Sequence, residues 1–208
     1  MARKRVAILI SDRGSNMLSL IEAAQRPDYP AEIALVISNR ADAAGIDLAR
    51  AAGVEAMVVP SRAYADRAAF EAELTRQLEA HRIEIVCLAG FMRVLTPAFV
   101  AHWRDRLINI HPSLLPAFQG LDTHARALAA GVTEHGCTVH YVREGVDDGP
   151  IIAQAKVPVR AGDTTETLAA RVLAEEHRLY PAALALVAAG MKPQPAVSEP
   201  DLAAIKLP

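Results

Sequence analysis

The sequence predicts a Rossmann-like α/β fold, which is an open, mostly parallel sheet flanked by helices, here with an antiparallel edge. Short apolar runs alternate with segments of helical periodicity from residue 5 to residue 131, a pattern typical of βαβ units. The run at 83–89 is almost continuously apolar, as expected of a strand buried on both faces of a parallel sheet. Two strand-like segments, 136–142 and 151–159, are joined by a turn-rich stretch, so we expect them to pair antiparallel at one edge.

The length and charge of the chain limit the possible classes of function. Its 208 residues suit one domain with a sizeable core. We expect this domain to span residues 1–190, and we expect residues 191–208, which are rich in proline, to form an extended tail packed on the domain or leaving it. A formal charge of -2 provides no general attraction to nucleic acid or to an anionic membrane.

Neither a membrane segment nor a disulfide framework is indicated. The chain contains no apolar run of about eighteen residues, and its first residues are typical of a strand rather than of a signal peptide. Cys87 and Cys137 are far apart and match neither a disulfide framework nor a thiolate zinc site. We therefore expect a cytoplasmic protein that acts on a small molecule, with no nucleic-acid or membrane partner.

The first strand, 5–10, is followed by a polar loop, 11–16, and then by a helix. Unpaired backbone N–H groups around Gly14, Ser15 and Asn16, together with the helix dipole, would favour a bound anion such as phosphate. Alternatively, Ser15 or Asn16 only caps the helix. A dinucleotide-binding loop is disfavoured, because its fingerprint needs three glycines and this loop has one.

Four further elements follow before the central strand. We predict a strand at 32–38, a helix at 43–52 that stops at Gly53, a short strand at 54–59 that stops at Pro60, and an amphipathic helix at 67–81. Asp66 directly precedes the last of these helices and is a favourable cap. Arg67 is then most simply a solvated residue of the first turn.

The strand at 83–89 runs into a loop that carries Met92, Arg93, Val94 and Leu95. Apolar side chains beside exposed backbone at the carboxyl end of a strand would suit a flat heteroaromatic ligand. The same residues are also consistent with ordinary packing, and the sequence leaves both interpretations open.

Asn109 and His111 lie at the end of the next predicted strand, after a helix at 97–102. Residues two apart in a strand share a face, so these two side chains should point the same way. Pro112 disfavours the helical region for the residue before it and so keeps His111 extended. Since α/β sheets bind ligands at the carboxyl ends of their strands, the pair is a candidate site. The alternative is a pair of structural groups with satisfied hydrogen bonds.

The turn between the two edge strands contains Asp147 and Asp148, followed by Gly149. Asp and Gly are common turn residues, so these carboxylates are by default a solvated acidic turn. This turn follows a proline-rich loop and a helix at 123–130 that Gly131 ends.

A long helix at about 165–189 completes the predicted domain. Asp163 or Thr164 caps it, and Glu166 completes a capping box if Asp163 is the cap. Pro181 should break or kink this helix. Glu176 and His177 near its middle are by default surface polar residues.

Four motifs together closely resemble the folate-dependent formyltransferases. They are Ala-Gly-Phe-Met-Arg at 89–93, Asn-Ile-His-Pro-Ser-Leu-Leu-Pro at 109–116, Glu-His-Gly at 134–136 and Asp-Asp-Gly-Pro-Ile at 147–151. The similarity extends to about residue 190 and is greatest to the members of the family that formylate glycinamide ribonucleotide in purine synthesis. The resemblance implies the formyltransferase fold, 10-formyltetrahydrofolate as cosubstrate, glycinamide ribonucleotide as the other substrate, no metal, and a monomer or homodimer.

The resemblance also implies roles for individual residues. The catalytic positions fall on Asn109, His111 and Asp147. The positions that bind the substrate's phosphate and ribose fall on Gly14, Ser15, Asn16 and Glu176. Folate contacts fall on Arg67, Met92, Arg93, Val94, Leu95, Arg143, Val146 and Asp147. The chain departs from the family where glycine is common, at Asp12 and Asp148.

The expected mechanism is direct attack of an amine on the formyl carbon through a tetrahedral intermediate. Asn109 and a protonated His111 would donate to the formyl oxygen, and Asp147 would keep His111 charged and help to remove the amine proton. The alternatives are a methionyl-tRNA formyltransferase, a formyltetrahydrofolate hydrolase, a sugar-nucleotide formyltransferase, and a module that binds a folate or a phosphorylated metabolite without turnover. The first two usually carry an additional domain that we do not expect here, and the acidic charge disfavours RNA.

Overall fold

The computed structural model describes residues 2–193, so most of the predicted tail lies outside the described residues. The strands are β1 (Lys4–Ile10), β2 (Ala31–Ser38), β3 (Ala56–Val58), β4 (Ile85–Leu88), β5 (Leu107–His111), β6 (Glu134–Tyr141) and β7 (Ile151–Pro158). The α-helices are α1 (Ser15–Ala24), α2 (Gly45–Ala51), α3 (Arg67–Ala80), α4 (Pro97–His102), α5 (Thr123–Ala129) and α6 (Thr165–Ala188). A 3₁₀ turn at Ser61–Ala63, which the sequence did not predict, precedes α3.

The seven strands form one sheet in the order β3-β2-β1-β4-β5-β6-β7. The pairs from β3 to β5 are parallel, and β6 is antiparallel to both β5 and β7. The predicted fold class is thereby confirmed. The chain order changes direction between β1 and β4, and ligands bind at such a switch point, outside the carboxyl ends of the strands.

Alternate residues of β1 reach two different cores, because successive side chains of a strand point to opposite faces. Val6 and Ile8 pack in a cluster with residues of α1, α2 and α6, whereas Ala7 and Leu9 pack in a cluster with residues of α3 and α4. The sheet is therefore covered on both faces, which leaves its edges and strand ends to contact ligands.

The starts of the helices follow from their caps. The Asp66 carboxylate accepts a hydrogen bond from Ala69 N at 2.8 Å, which confirms the predicted cap of α3. Of the two candidates for α6, the cap is Thr164, which forms a capping box with Thr167. Glu166 is therefore not the capping-box partner, as it would have been had Asp163 been the cap.

Helix α6 continues across Pro181, so the prediction of a break at this residue is wrong. Proline removes only one N–H from the ladder. Tyr180 and Leu184 on either side are fully buried, so packing holds this part of the helix in place. The Pro181 carbonyl accepts a hydrogen bond from the Tyr29 hydroxyl at 2.7 Å. Within residues 2–193, no helix has the length and apolar character needed to cross a membrane.

Candidate active site

A cavity of about 740 Å³ lies at the carboxyl ends of β1, β4 and β5. Of the predicted site residues it is lined by Asn16, Met92, Arg93, Val94, Leu95, Asn109, Arg143, Val146, Asp147 and Glu176. A cavity of this size is in the range that accommodates a cofactor or a drug-sized ligand. Residues from distant parts of the sequence therefore meet at one opening.

The β1–α1 loop offers backbone N–H groups rather than charged side chains. Gly14 is the residue before α1, with φ of 74°, and no side chain caps this helix. Ser15 and Asn16 lie inside the first turn, so the alternative in which one of them caps the helix is wrong. An added Cβ on Gly14 would lie 3.3 Å from the Gly45 Cα, which shows how closely α2 packs on this loop. The loop is held tightly, and its free N–H groups favour an anion.

Asp12, where the family commonly has glycine, is exposed and lies at the opposite end of this loop from Asn16. Its carbonyl accepts a hydrogen bond from Gly45 N at 3.0 Å. The backbone of this residue thus helps to hold the loop on α2.

Glu176 is buried, and its default interpretation as a surface residue is wrong. The side chain is on the same face of α6 as the buried Val172 and Tyr180, one helical turn away on each side. Its carboxylate accepts a hydrogen bond from Asn16 Nδ2 at 2.7 Å. Burial raises the pKa of Glu176, and the hydrogen bond from Asn16 only partly opposes this. The Asn16 Oδ1 atom is buried without a hydrogen-bond partner among the described residues.

The loop after β4 presents apolar side chains to solvent. Met92 and Val94 are 63% and 60% exposed, whereas Phe91 and Leu95 are buried. Ordinary packing therefore explains Phe91 and Leu95 but not Met92 and Val94. Exposed apolar side chains at the mouth of a cavity favour contact with an apolar ligand.

Arg67 is the one predicted folate contact that does not line the cavity. It is exposed in the first turn of α3, a helix that turns Phe70 and Leu74 toward the sheet. On the other side of the cavity, Arg143 forms an ion pair with Asp105 at 2.6 Å. This ion pair fastens the β6–β7 turn to the segment that precedes β5.

The structure brings Asn109, His111 and Asp147 together. Asp147 Oδ2 lies 3.3 Å from His111 Nδ1 and accepts a hydrogen bond from Gly120 N at 3.0 Å. Only 14% of the Asp147 side chain is exposed, so the interpretation as a solvated turn is wrong for this residue. It holds for Asp148, which is exposed.

The pKa of the Asp147 carboxyl reflects opposing effects. Burial alone would raise it, but the hydrogen bond from the Gly120 N–H and the nearby His111 imidazole stabilise the charged form, so the pKa of Asp147 is lowered. The carboxylate is therefore ionised at neutral pH and can accept a proton.

The imidazole of His111 is held by protein groups at both of its ring nitrogens. Its Nε2 lies 3.0 Å from the carbonyl of Phe118, which can only accept a hydrogen bond, so Nε2 carries a proton. Both ring nitrogens thus face protein groups, and the imidazole does not line the cavity. Burial lowers the pKa of His111, although the Phe118 carbonyl and the Asp147 carboxylate act to raise it.

His140 is a site residue that the sequence reasoning missed. It lies directly opposite Asn109 on the paired strands β5 and β6 and is 2% exposed. Its Nδ1 lies 3.1 Å from the Tyr141 carbonyl and is therefore protonated, which leaves Nε2 to accept from Asn109 Nδ2 at 3.2 Å. The Nε2 atom also lies 3.6 Å from Asp147 Oδ1. The alternation of 136–142 suggested a strand, but its register against β5 was not readable.

A second pair of histidines lies near His111. The rings of His124 and His135 approach within hydrogen-bond distance, 3.2 Å between Nδ1 and Nε2. His135 is 1% exposed, and burial lowers its pKa to about 4, with a further contribution from His124. Among residues 2–193, no group of three or more His, Cys, Asp or Glu side chains is arranged to hold a metal ion.

Residues 4–184 match the family described as Formyl transferase. The chain is 44% identical over 185 residues to the phosphoribosylglycinamide formyltransferase of Escherichia coli K12, covering 89% of this chain and 87% of that protein. It is 54% identical over 190 residues to the trifunctional purine biosynthetic protein adenosine-3 of Drosophila pseudoobscura pseudoobscura. This match covers 90% of the chain but only 14% of the trifunctional protein.

Solved structures show the same similarity. The crystal structure of phosphoribosylglycinamide formyltransferase from Brucella melitensis superposes with a TM-score of 0.87 at 54% sequence identity, covering 91% of this chain and 97% of that one. The glycinamide ribonucleotide transformylase 1 of Symbiobacterium toebii gives a TM-score of 0.88 at 48% identity, with 90% and 89% covered.

Proposed function

This chain belongs to the formyl transferase family, and from that premise we propose that it transfers the formyl group of 10-formyltetrahydrofolate to the amine of glycinamide ribonucleotide. The observation that carries the proposal is the meeting of Asn109, His111 and Asp147 beside one cavity, between an uncapped helix N-terminus and an exposed apolar loop. The names of relatives that match most of the chain support the choice of substrates.

The acceptor substrate fits the α1 side of the cavity. The N–H groups at Gly14, Ser15 and Asn16 would hold its phosphate, because a helix N-terminus attracts an anion without a titratable group. Glu176 faces the same region through Asn16 and would accept hydrogen bonds from the ribose hydroxyls.

The folate fits the loop after β4. Met92 and Val94 offer exposed apolar surface to a flat ring, and Val146, 56% exposed, does so from the opposite turn. Arg93 and Arg143 line the same cavity and supply positive charge.

The reaction requires a neutral amine, an electrophilic carbon and a place for negative charge on oxygen. The amine nitrogen attacks the formyl carbon, and the new C–N bond forms as the formyl oxygen becomes an oxyanion. Asn109 faces the cavity and would donate an amide hydrogen to that oxygen, a contribution of roughly 10²–10³ in rate. Asp147 would take the amine proton. This proton then passes to the folate nitrogen as the bond between that nitrogen and the formyl carbon breaks.

His111 can donate to the formyl oxygen only after its Nε2 leaves Phe118. The Phe118 carbonyl oxygen now accepts the hydrogen bond that His111 Nε2 would have to donate to the oxyanion. Phe118, Gly120 and Asp122 all have positive φ angles. Glycine adopts such angles freely, whereas Phe118 and Asp122 do so at a cost. We infer that substrate binding moves this loop and replaces the carbonyl of Phe118 with the formyl oxygen, after which Asp147 supports the charged imidazole.

His140 would act through Asn109. Its protonated Nδ1 is bound to Tyr141, so Nε2 accepts one hydrogen of the Asn109 amide and leaves the other for the substrate. We therefore regard His140 as a positioning residue that sets the orientation of the Asn109 amide group.

One assay tests the proposed function. Purified protein is mixed with 10-formyltetrahydrofolate and glycinamide ribonucleotide, and release of tetrahydrofolate is followed, with the Asp147→Asn variant as the inactive control. Product that forms only with both substrates supports the proposal. Tetrahydrofolate release without an amine acceptor would indicate a hydrolase. Binding of both substrates without product would indicate a binding module and would overturn the proposal.

A further inference from the structure

One buried hydroxyl group links the ends of three neighbouring parallel strands. Ser11 directly follows β1 and is 2% exposed. Its Oγ donates to Asn39 Oδ1 at 2.6 Å, at the end of β2, and accepts from Met92 N at 2.8 Å, in the loop after β4. Since a hydroxyl has one proton, the bond to Asn39 turns the lone pairs of Ser11 toward Met92.

This hydroxyl joins the two loops to which the proposed function assigns the substrates. Ser11 opens the loop that carries Gly14 and Asn16, and Met92 belongs to the loop that faces the folate. Hydrogen bonds fasten the second loop near its start, at Met92, and at its end, where Thr96 N donates to Glu71 at 2.9 Å.

The side chains of Met92 and Val94 are more than half exposed, so they add little packing to this loop. The hydrogen bond from Met92 N to Ser11 directly links the backbone of the folate loop to the first residue of the phosphate loop.

We propose that Ser11 is a positioning residue that sets the distance between the formyl donor and the amine acceptor, an inference that rests on the proposed function. Ser11 does not line the cavity and acts through Met92. Alignment of two reactants is sensitive to small shifts, and a misplacement of about 1 Å can cost roughly 10²-fold in rate.

The test compares Ser11→Ala with Ser38→Ala. Ser38 is also a buried serine at the carboxyl end of a strand, but among the described residues its hydroxyl bonds only within its own turn, to the backbone of Arg40. We expect Ser11→Ala to raise KM for the folate about 10-fold and to lower kcat about 10- to 100-fold. KM for the ribonucleotide should stay within about 2-fold, and Ser38→Ala should leave the folate KM and kcat unchanged.

A second pair of variants tests the link to Asn39. Asn39→Ala removes the oxygen that orients Ser11 and should reproduce part of the effect, whereas Asn39→Asp retains that oxygen and should retain the folate KM. Amide hydrogen exchange at Met92 in the ligand-free protein gives a readout that does not depend on catalysis. Exchange should be faster in Ser11→Ala than in Ser38→Ala, because only the first loses the acceptor of that N–H.

The outcomes separate the two proposals. Suppose that the wild type is active. If Ser11→Ala then has a normal folate KM, a normal kcat and unchanged exchange at Met92, the positioning role of Ser11 is overturned. Equal loss of all kinetic parameters in Ser11→Ala and Ser38→Ala also overturns it, since this would be a general effect on folding. A folded wild-type protein that forms no product overturns the proposed function first and the role of Ser11 with it.

Discussion

The two sides of the cavity use different chemistry. On the β1 side, the groups offered to a ligand are backbone N–H groups at the start of α1, held in place where Gly14 meets Gly45. On the side of the antiparallel edge, two buried imidazoles and one partly buried carboxylate meet within hydrogen-bond reach or close to it: His111 of β5, His140 of β6 and Asp147 of the β6–β7 turn.

Under the proposed function, this difference would separate substrate binding from the reaction. Backbone N–H groups do not titrate, so they can hold an anion over a wide pH range. Buried imidazoles and carboxylates shift one another's pKa values and can exchange protons. We therefore expect substitutions on the α1 side, including Glu176, to change substrate binding, and substitutions on the edge side to change turnover.

The largest effect is expected at Asp147. Asp147→Asn removes the proposed proton acceptor and should lower kcat by roughly 10²–10⁴, with little change in KM. Asp148→Asn alters the neighbouring, exposed carboxylate and should stay within about 3-fold of the wild type. Steady-state kinetics of both variants would measure this. A larger loss in Asp148→Asn would move the catalytic role to that residue.

The next largest effect is expected at His111. His111→Ala removes a donor for the formyl oxygen and should lower kcat about 10²-fold. His102→Ala, which removes an exposed histidine of α4, serves as the control and should have normal kinetics. Circular dichroism would show that both variants are folded. Normal turnover in folded His111→Ala would remove this residue from the mechanism.

A smaller effect on binding is expected at Glu176. Glu176→Gln weakens a charged hydrogen bond and should raise KM for the ribonucleotide about 10-fold, with kcat almost unchanged. Because burial raises the pKa of Glu176, its carboxylate becomes protonated at a higher pH than usual as the solution is acidified. KM for the ribonucleotide should therefore rise with acidification in the wild type and in the control Glu175→Gln. A KM as pH-dependent in Glu176→Gln as in the wild type would contradict this account.

The smallest effect concerns stability on the edge side. His135 is neutral in the folded protein because its pKa is lowered to about 4. Because the pKa of His135 is lower in the folded protein, the unfolded chain binds more protons. The stabilising contribution of neutral His135 is therefore present above the unfolded pKa, near 6.5, and is lost as the pH falls toward the folded pKa. Between pH 7 and pH 6, His135 should account for a loss of about 0.7 kcal/mol in the free energy of unfolding.

Urea unfolding at the two pH values measures this contribution. His135→Gln should lose less stability on acidification than the wild type. Identical pH dependence of the two proteins would show that His135 gains its proton without cost to the fold.

Much of the fold could be predicted because its signals are local. Asp66 caps α3 through an N–H three residues away, and the alternation in 136–142 identifies β6. The alternation around Asn109 and His111, with Pro112 after it, placed both residues at the end of a strand. At Pro181 a local signal did not decide the outcome: α6 continues across this residue, between the buried Tyr180 and Leu184.

The site could be predicted only in part. The strand pattern pointed to Asn109 and His111 and the family resemblance added Asp147, but contacts between distant segments decided their surroundings. His140 joins the site through the register of β6 against β5. Glu176 is buried where α6 meets Asn16, although the spacing of Val172, Glu176 and Tyr180 was a helical signal that pointed to it.

The sequence by itself determined the α/β pattern, the strand on which Asn109 and His111 share a face, and the start of α3, because these depend on neighbours a few residues apart. Only the tertiary structure decided that Nε2 of His111 is bound to Phe118, that His140 holds the Asn109 amide, and that Ser11 joins two loops. These contacts link residues on separate elements or across a loop, and the position of such elements depends on the packing of the whole sheet and its helices rather than on any local pattern.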